Sequence, residues 1–186
     1  AFDAALHLLH LVAGVSYYKA GVPARIAVES GGLDESTAAL MDELYLHGLA
    51  EFAYRNGLHL RGKIVFPSVG TRDSGLGTRN SEHESNRTQD LNPLPHRTLV
   101  PIGGGKDSLV VVEALKAAGA DATAVWVGNS PLIAAVAART GLPMLNIARE
   151  LSPVLFEYNR LGAWNGHIPV TAINSAILVC AAILYG

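Results

Sequence analysis

Cysteine is nearly absent: Cys180 is the only one in 186 residues. No disulfide framework and no cysteine-based zinc site can form within the chain, and a reducing, cytoplasmic setting is expected. Charge is sparse as well, with 14 Lys and Arg against 16 Asp and Glu and a net charge of -2. The basic residues are scattered and make no run, which removes the electrostatic footprint of a nucleic-acid binder. The opening stretch AFDAALHLLHLVAGV has no basic region before it, and Asp3, His7 and His10 interrupt it, so it does not read as a targeting signal. The uncharged run from Ile168 to Gly186 is nearly long enough to span a bilayer. Pro169, Thr171, Asn174 and Ser175 fall in its first half, however, and a helix packed inside an α/β domain gives the same pattern. No membrane partner is expected, and oligomeric state is left open.

What is present divides the chain into three parts. Residues 1–66 read as mainly helical. Leu33, Asp34 and Glu35 look like a staple residue, an N-cap and a first-turn acid, and Leu40, Leu44 and Leu49 give the helix that follows an apolar face, with Gly48 as a stop. A turn at Asn56-Gly57 then leads to an expected strand that ends before Pro67. Residues 67–97 offer only Val69, Leu76, Leu91 and Leu94 as sizeable apolar groups. That is too little burial to offset ordering entropy, and a flexible linker is expected. His83 between Glu82 and Glu84 fits a solvated loop better than a metal cluster.

Residues 98–186 alternate apolar strands with helices: TLVPI, SLVVVEALKAAG, ATAVWVG, SPLIAAVAARTG and PMLNIA, then a stretch around LSPVLFEYNRLG and the long apolar helix. This is the pattern of an α/β, doubly wound parallel sheet covered on both faces, here small and incomplete at its C-terminal side. Right-handed crossovers place the strand-to-helix turns on one edge, where such folds bind ligands. Gly103, Gly104 and Gly105 lie on that edge, followed by Lys106, Asp107 and Ser108. Glycines let backbone N–H groups approach an anion, a helix N-terminus adds partial positive charge, Lys106 adds a full one and Ser108 a donor. A phosphate site is indicated. It is not a Walker A loop, because Val100 and Asp107 stand where that motif has glycine and Ser/Thr. A G-x-G-x-x-G loop fails at Ser108.

The loop GGGKDS resembles the SGGxDS loop of the PP-loop ATP pyrophosphatases, with Gly103 in place of the usual serine. More of the chain takes part in a second resemblance. LVPIGGGKDSLV, GNSP, NRLGAWNGHIPVTAINSAIL and LHLVAGVSYYKAGVP resemble the ATP-dependent UDP-N-acetyl-α-D-muramoyl-L-alanyl-L-glutamate epimerases. These proteins are considerably longer, so a C-terminally truncated domain is expected. The resemblance implies an adenine nucleotide alpha hydrolase-like fold, ATP and Mg²⁺ as cofactors, and UDP-MurNAc-L-Ala-L-Glu as substrate. It also implies inversion of the terminal L-Glu through an acyl-adenylate. An adenylated carbonyl is a far better electron sink for α-proton removal than a carboxylate anion.

Positions follow from that resemblance. Gly103, Gly104 and Gly105 would supply backbone donors to phosphate, with Lys106 and Ser108 adding side-chain contacts. Asp107 would hold the loop or reach Mg²⁺. Asn129, just after the second strand, would meet ribose or adenine, or simply form a turn. Asn165 and Gly166 make a turn on the nucleotide edge, and His167 beside them would contact phosphate, transfer a proton or cap the long helix. Lys106, Asp107 and His167 are thus the catalytic candidates. Arg149 and Arg160 read as solvated arginines that could also clamp anions. Tyr17, Tyr18 and Lys19 either belong to a substrate site or end the first helix. Two other classes share the loop: another adenylating PP-loop enzyme, and a non-catalytic nucleotide-binding module.

Overall fold

A computed structural model describes residues 1–29, 32–69 and 97–186. The expected linker falls almost wholly outside the described residues, as do His83 and its flanking glutamates. Two compact units emerge, neither continuous in sequence. One comprises Ala1–Leu9, Leu94–Ser152 and Asn174–Gly186; the other comprises His10–Pro93 and Pro153–Ile173.

The first unit is built on three parallel strands, β1 (Thr98–Pro101), β2 (Ala122–Val127) and β3 (Met144–Ile147), in the order β1-β2-β3. Register pairs Val100 with Ala124 and Val125 with Leu145. Helix α5 (Lys106–Ala117) links β1 to β2, and α6 (Pro131–Arg139) links β2 to β3. One sheet face, carrying Val100, Ala122 and Ala124, packs in a single core with Val112 of α5 and Ala137 of α6. Both crossover helices therefore lie on that face. Val125, on the opposite face of β2, is fully buried too, so the central strand is covered on both sides. The strand order runs one way throughout, so the reversal that defines a doubly wound sheet is not found among the described strands.

Local signals explain the helix limits. Ser130 caps α6, its Oγ accepting from the Ile133 N–H at 3.4 Å, and Pro131 occupies the first turn, where its missing donor costs nothing. Gly119, at φ +67°, lets the chain turn back toward β2 after α5. Helix α5 begins at Lys106, two residues earlier than the apolar run suggests. Glu113 and Lys116 pair on its exposed surface at 2.9 Å, as their spacing predicts.

The second unit is mainly helical. Helix α1 (Phe2–Ala13), whose residues up to Leu9 belong to the first unit, and α2 (Val15–Gly21) are separated at Gly14, so Tyr17, Tyr18 and Lys19 belong to a second helix rather than ending the first. A side chain on Gly14 would come within 2.9 Å of the Tyr45 hydroxyl, which donates to the Leu11 carbonyl at 2.7 Å. That bond satisfies a carbonyl in the last turn of α1. Burial and the neighbouring Tyr18 push the Tyr45 phenol well above its ordinary range. Helix α3 (Glu35–Gly48) is capped by Asp34, which accepts from the Thr37 N–H at 2.8 Å and from the Ser36 and Thr37 hydroxyls. Those bonds hold the Asp34 carboxyl below the usual range.

The buried face of α3 is Ala38, Met41 and Tyr45. Of the leucine row expected, Leu49 is fully buried and Leu44 half-buried, but Leu40 is half exposed, while Tyr45 is anchored inward by its hydroxyl. Gly48 does end α3, but what requires glycine there is Pro169, whose ring would lie 2.7 Å from a Cβ. Helix α4 (Ala50–Asn56) ends at Gly57, φ +63°, as the Asn56-Gly57 signal predicts. The strand expected after it does not form. Leu60, Ile64 and Phe66 are buried, yet among the described residues none of them has a ladder partner, and the Phe66 N–H donates instead to Asp42 at 2.7 Å. Among the described residues the only bridge outside the sheet joins Leu33 and Ser68.

Helix α7 (Pro153–Arg160) lies in this second unit, and α8 (Val170–Tyr185) runs from it into the first. Cys180 is buried on α8. Among the described residues no helix is long and apolar enough to cross a membrane.

Candidate functional site

The residues singled out in the sequence fall into two groups, one in each unit. In the sheet unit, Gly103, Gly104 and Gly105 leave β1 at the edge that Asn129 occupies after β2, since the two strands are parallel neighbours. Gly104 has φ +82°, the left-handed region, and a Cβ there would meet Ile133 at 3.5 Å. Glycine is thus required at that position by the fold itself. Gly103 and Gly105 differ. Neither has a left-handed φ, and a Cβ on either would project into open space.

Helix α5 starts at this loop without a side-chain cap, whereas α3 and α6 are capped by Asp34 and Ser130. Lys106 occupies the first helical position, where the partial positive charge of the helix end makes a cation unfavourable. Asp107, next to it, is a favourable first-turn acid, and both side chains are exposed. The Ser108 hydroxyl donates to the Gly105 carbonyl at 2.9 Å and so tightens the turn. Asn129 is exposed after Gly128, whose carbonyl accepts from the Asn146 side chain at 2.8 Å.

In the helical unit the group is Asn165, Gly166 and His167, joined by a residue distant in sequence. The Lys19 ammonium donates to Asn165 Oδ1 at 2.8 Å, and the same oxygen accepts from the Gly166 N–H at 2.9 Å. Asn56 reaches the Asn165 carbonyl at 3.4 Å, and the Trp164 N–H donates to the Ala20 carbonyl at 3.2 Å. A side chain on Gly166 would meet the fully buried Phe52 at 2.9 Å. His167 is exposed. Lys19 is only 9% exposed, and among the described residues no carboxylate pairs with it. Burial holds its amine below the ordinary lysine range. Arg160 pairs with Glu157, and Arg149 reaches Asn174 at 3.4 Å, consistent with surface roles for both arginines.

The family model described as the MurL N-terminal domain matches residues 1–186. The chain belongs to this family. It is 57% identical over its whole length to a UDP-N-acetyl-alpha-D-muramoyl-L-alanyl-L-glutamate epimerase of Xanthomonas oryzae pv. oryzae (strain MAFF 311018). It is 45% identical over 96% of its length to the protein of that name from Micromonospora sp. (strain ATCC 39149 / NRRL 15099 / SCC 1413). It is 42% identical over 97% to that from Salinispora tropica (strain ATCC BAA-916 / DSM 44818 / JCM 13857 / NBRC 105044 / CNB-440). The chain spans 37–38% of the length of these relatives. No solved structure matches it.

Within this MurL N-terminal domain, the link between Lys19 and Asn165 is what sequence reading missed. Residues 146 positions apart share no spacing signal, although both segments carry the family resemblance. The one available hint was a lysine within an otherwise apolar and aromatic stretch, VSYYKAGV.

Proposed function

We propose that this chain forms the nucleotide-binding part of an ATP-dependent epimerase with a PP-loop fold. The whole protein inverts the terminal L-Glu of UDP-MurNAc-L-Ala-L-Glu to D-Glu in peptidoglycan precursor synthesis. The observation that carries the reading is the pair Gly103 and Gly105. Neither a left-handed backbone nor internal packing accounts for glycine there, and bare backbone of this kind lets a ligand come within contact of its N–H groups. An uncapped helix start bearing a lysine at its least favourable position adds support. Both features are local costs that a bound anion reverses.

In this reading the backbone N–H groups of residues 103–105 and the Lys106 ammonium hold the ATP phosphates, with Ser108 closing the loop and Asn129 facing the nucleoside. Mg²⁺, when bound, would neutralise phosphate charge. Asp107, exposed in the first turn of α5, would be the carboxylate that holds it. The substrate carboxylate would attack the α-phosphorus and displace pyrophosphate, leaving an acyl-adenylate whose carbonyl end no longer carries the carboxylate charge. Loss and return of the α-proton on opposite faces, then hydrolysis, yield D-Glu and AMP.

The test uses the full-length protein with UDP-MurNAc-L-Ala-L-Glu, with and without ATP and Mg²⁺, following glutamate configuration by chiral analysis and nucleotides by chromatography. The expected result is ATP-dependent D-Glu with AMP and pyrophosphate, lost in Lys106→Ala and in Asp107→Ala. Release of AMP without inversion would indicate an adenylating ligase, and ATP binding without cleavage a non-catalytic nucleotide-binding module.

A further inference from the structure

Helix α7 has eight residues and buries none of them, although it lies against α2. A helix so short is marginal in water unless packing holds it. Val154, Tyr158 and Leu161 stand at i, i+4 and i+7, and the Leu161 N–H still donates to the Glu157 carbonyl at 3.0 Å, so the three form one stripe. Each is between 41% and 69% exposed, as is Trp164 just beyond them. Among the described residues neither Tyr158 nor Trp164 has an aromatic partner. The turn that follows the stripe is nevertheless held firmly. The Trp164 N–H donates to the Ala20 carbonyl, Asn165 Oδ1 accepts from the buried Lys19, and Gly166 sits against Phe52. Burying an ammonium without a carboxylate is unfavourable, so a piece of apolar surface is kept in one conformation at a cost in stability. Apolar and aromatic groups fixed in advance are what an interface core presents.

We propose that the α7 stripe and Trp164 are the docking surface for the C-terminal part of the whole protein. The chain matches an N-terminal domain and spans 37–38% of its relatives, so more than three-fifths of each relative lies outside the matched part. A partner carried on the same polypeptide acts at high effective concentration. A helix with anchors at i, i+4 and i+7 is the shape that seats in an apolar groove. This docking follows from the family and the surface alone, whatever reaction the whole protein runs.

Alkylation of the new thiol in a Leu161→Cys variant of the full-length protein tests it, with the labelled site read by peptide mass. Tyr54→Cys, at an 88% exposed position of α4, is the open control. Each rate is divided by the rate of the same variant in denaturant. Alkylation at position 161 should then be about tenfold slower than at position 54, and equally so at every protein concentration. Adding Val154→Asp should bring the two rates together. An acid in the first turn favours α7 itself, so the lost protection reports undocking and not unwinding of the helix. Equal rates without Val154→Asp overturn the proposal. Protection that fades on dilution also overturns it, marking a second copy of the protein as the occupant. Protection that survives Val154→Asp does so as well, because the apolar stripe is then not what is covered.

Discussion

Lys19 shows how much a single side chain can reveal. An ammonium that is nine-tenths buried, with an amide oxygen as its acceptor, is less favourable than a well-packed apolar chain of the same length. Folding lowers the lysine pKa from its ordinary 10.5. Between the lowered value and 10.5, the unfolded chain holds a proton that the folded one has released. Stability therefore rises with pH across that window, and the penalty is present in full below it. Replacing Lys19 with Met should raise stability at neutral pH by about 1 kcal/mol and flatten that rise, as read by thermal melts across pH. The same variant should lose activity in the full-length protein, because Asn165 Oδ1 loses the donor that ties it to α2. Gain of stability with loss of function marks a residue kept for its role rather than for the fold. Nothing in the order of residues disclosed this pair; only the folded path of the chain brings Lys19 to Asn165.

At the scale of elements, the glycine loop separates what the fold needs from what a ligand needs. Gly104→Ala forces an L-residue into the left-handed region at a cost of about 1 kcal/mol and should lower the melting temperature. Gly103→Ala meets open space without a left-handed φ, so its melt should match the parent while ATP affinity falls, measured by calorimetry on the full-length protein. The β-α-β-α-β order was readable in the sequence because short apolar strands alternate with helices whose limits Gly119 and the Ser130-Pro131 cap mark. The start of α5 was not, because Lys106 and Asp107 are polar and look like loop. The segment after Asn56-Gly57 was misread for a physical reason. Its buried Leu60, Ile64 and Phe66 mimic a strand, but a strand also needs a neighbour for its backbone, and Asp42 serves instead. Of the leucine face read for α3, Leu49 is fully buried but Leu40 is not, because a tyrosine with a carbonyl to reach turns inward on the same helix.

For the molecule as a whole, the informative fact is that neither unit is one continuous segment. The sheet unit takes in Ala1–Leu9 and Asn174–Gly186 in addition to the segment that contains its strands. Ala5, in the first of these segments, is buried. Deleting residues 1–9 should therefore lower the unfolding temperature of a sheet that begins nearly ninety positions later. The chain's two tryptophans make this measurable: Trp126 packs against the sheet core and Trp164 lies in the helical unit. In a Trp164→Phe background, the fluorescence melt of Trp126 should shift downward on deletion.

The seclusion of Cys180 gives α8 a chemical clock. A buried thiol reacts with an alkylating reagent only in molecules whose local structure has opened, so the labelling rate counts openings of that helix. With one thiol in the chain, every labelled molecule records the same event. Comparing labelling rates with and without a nucleotide would then show whether occupancy at the glycine loop restrains a helix at the far end of the sequence.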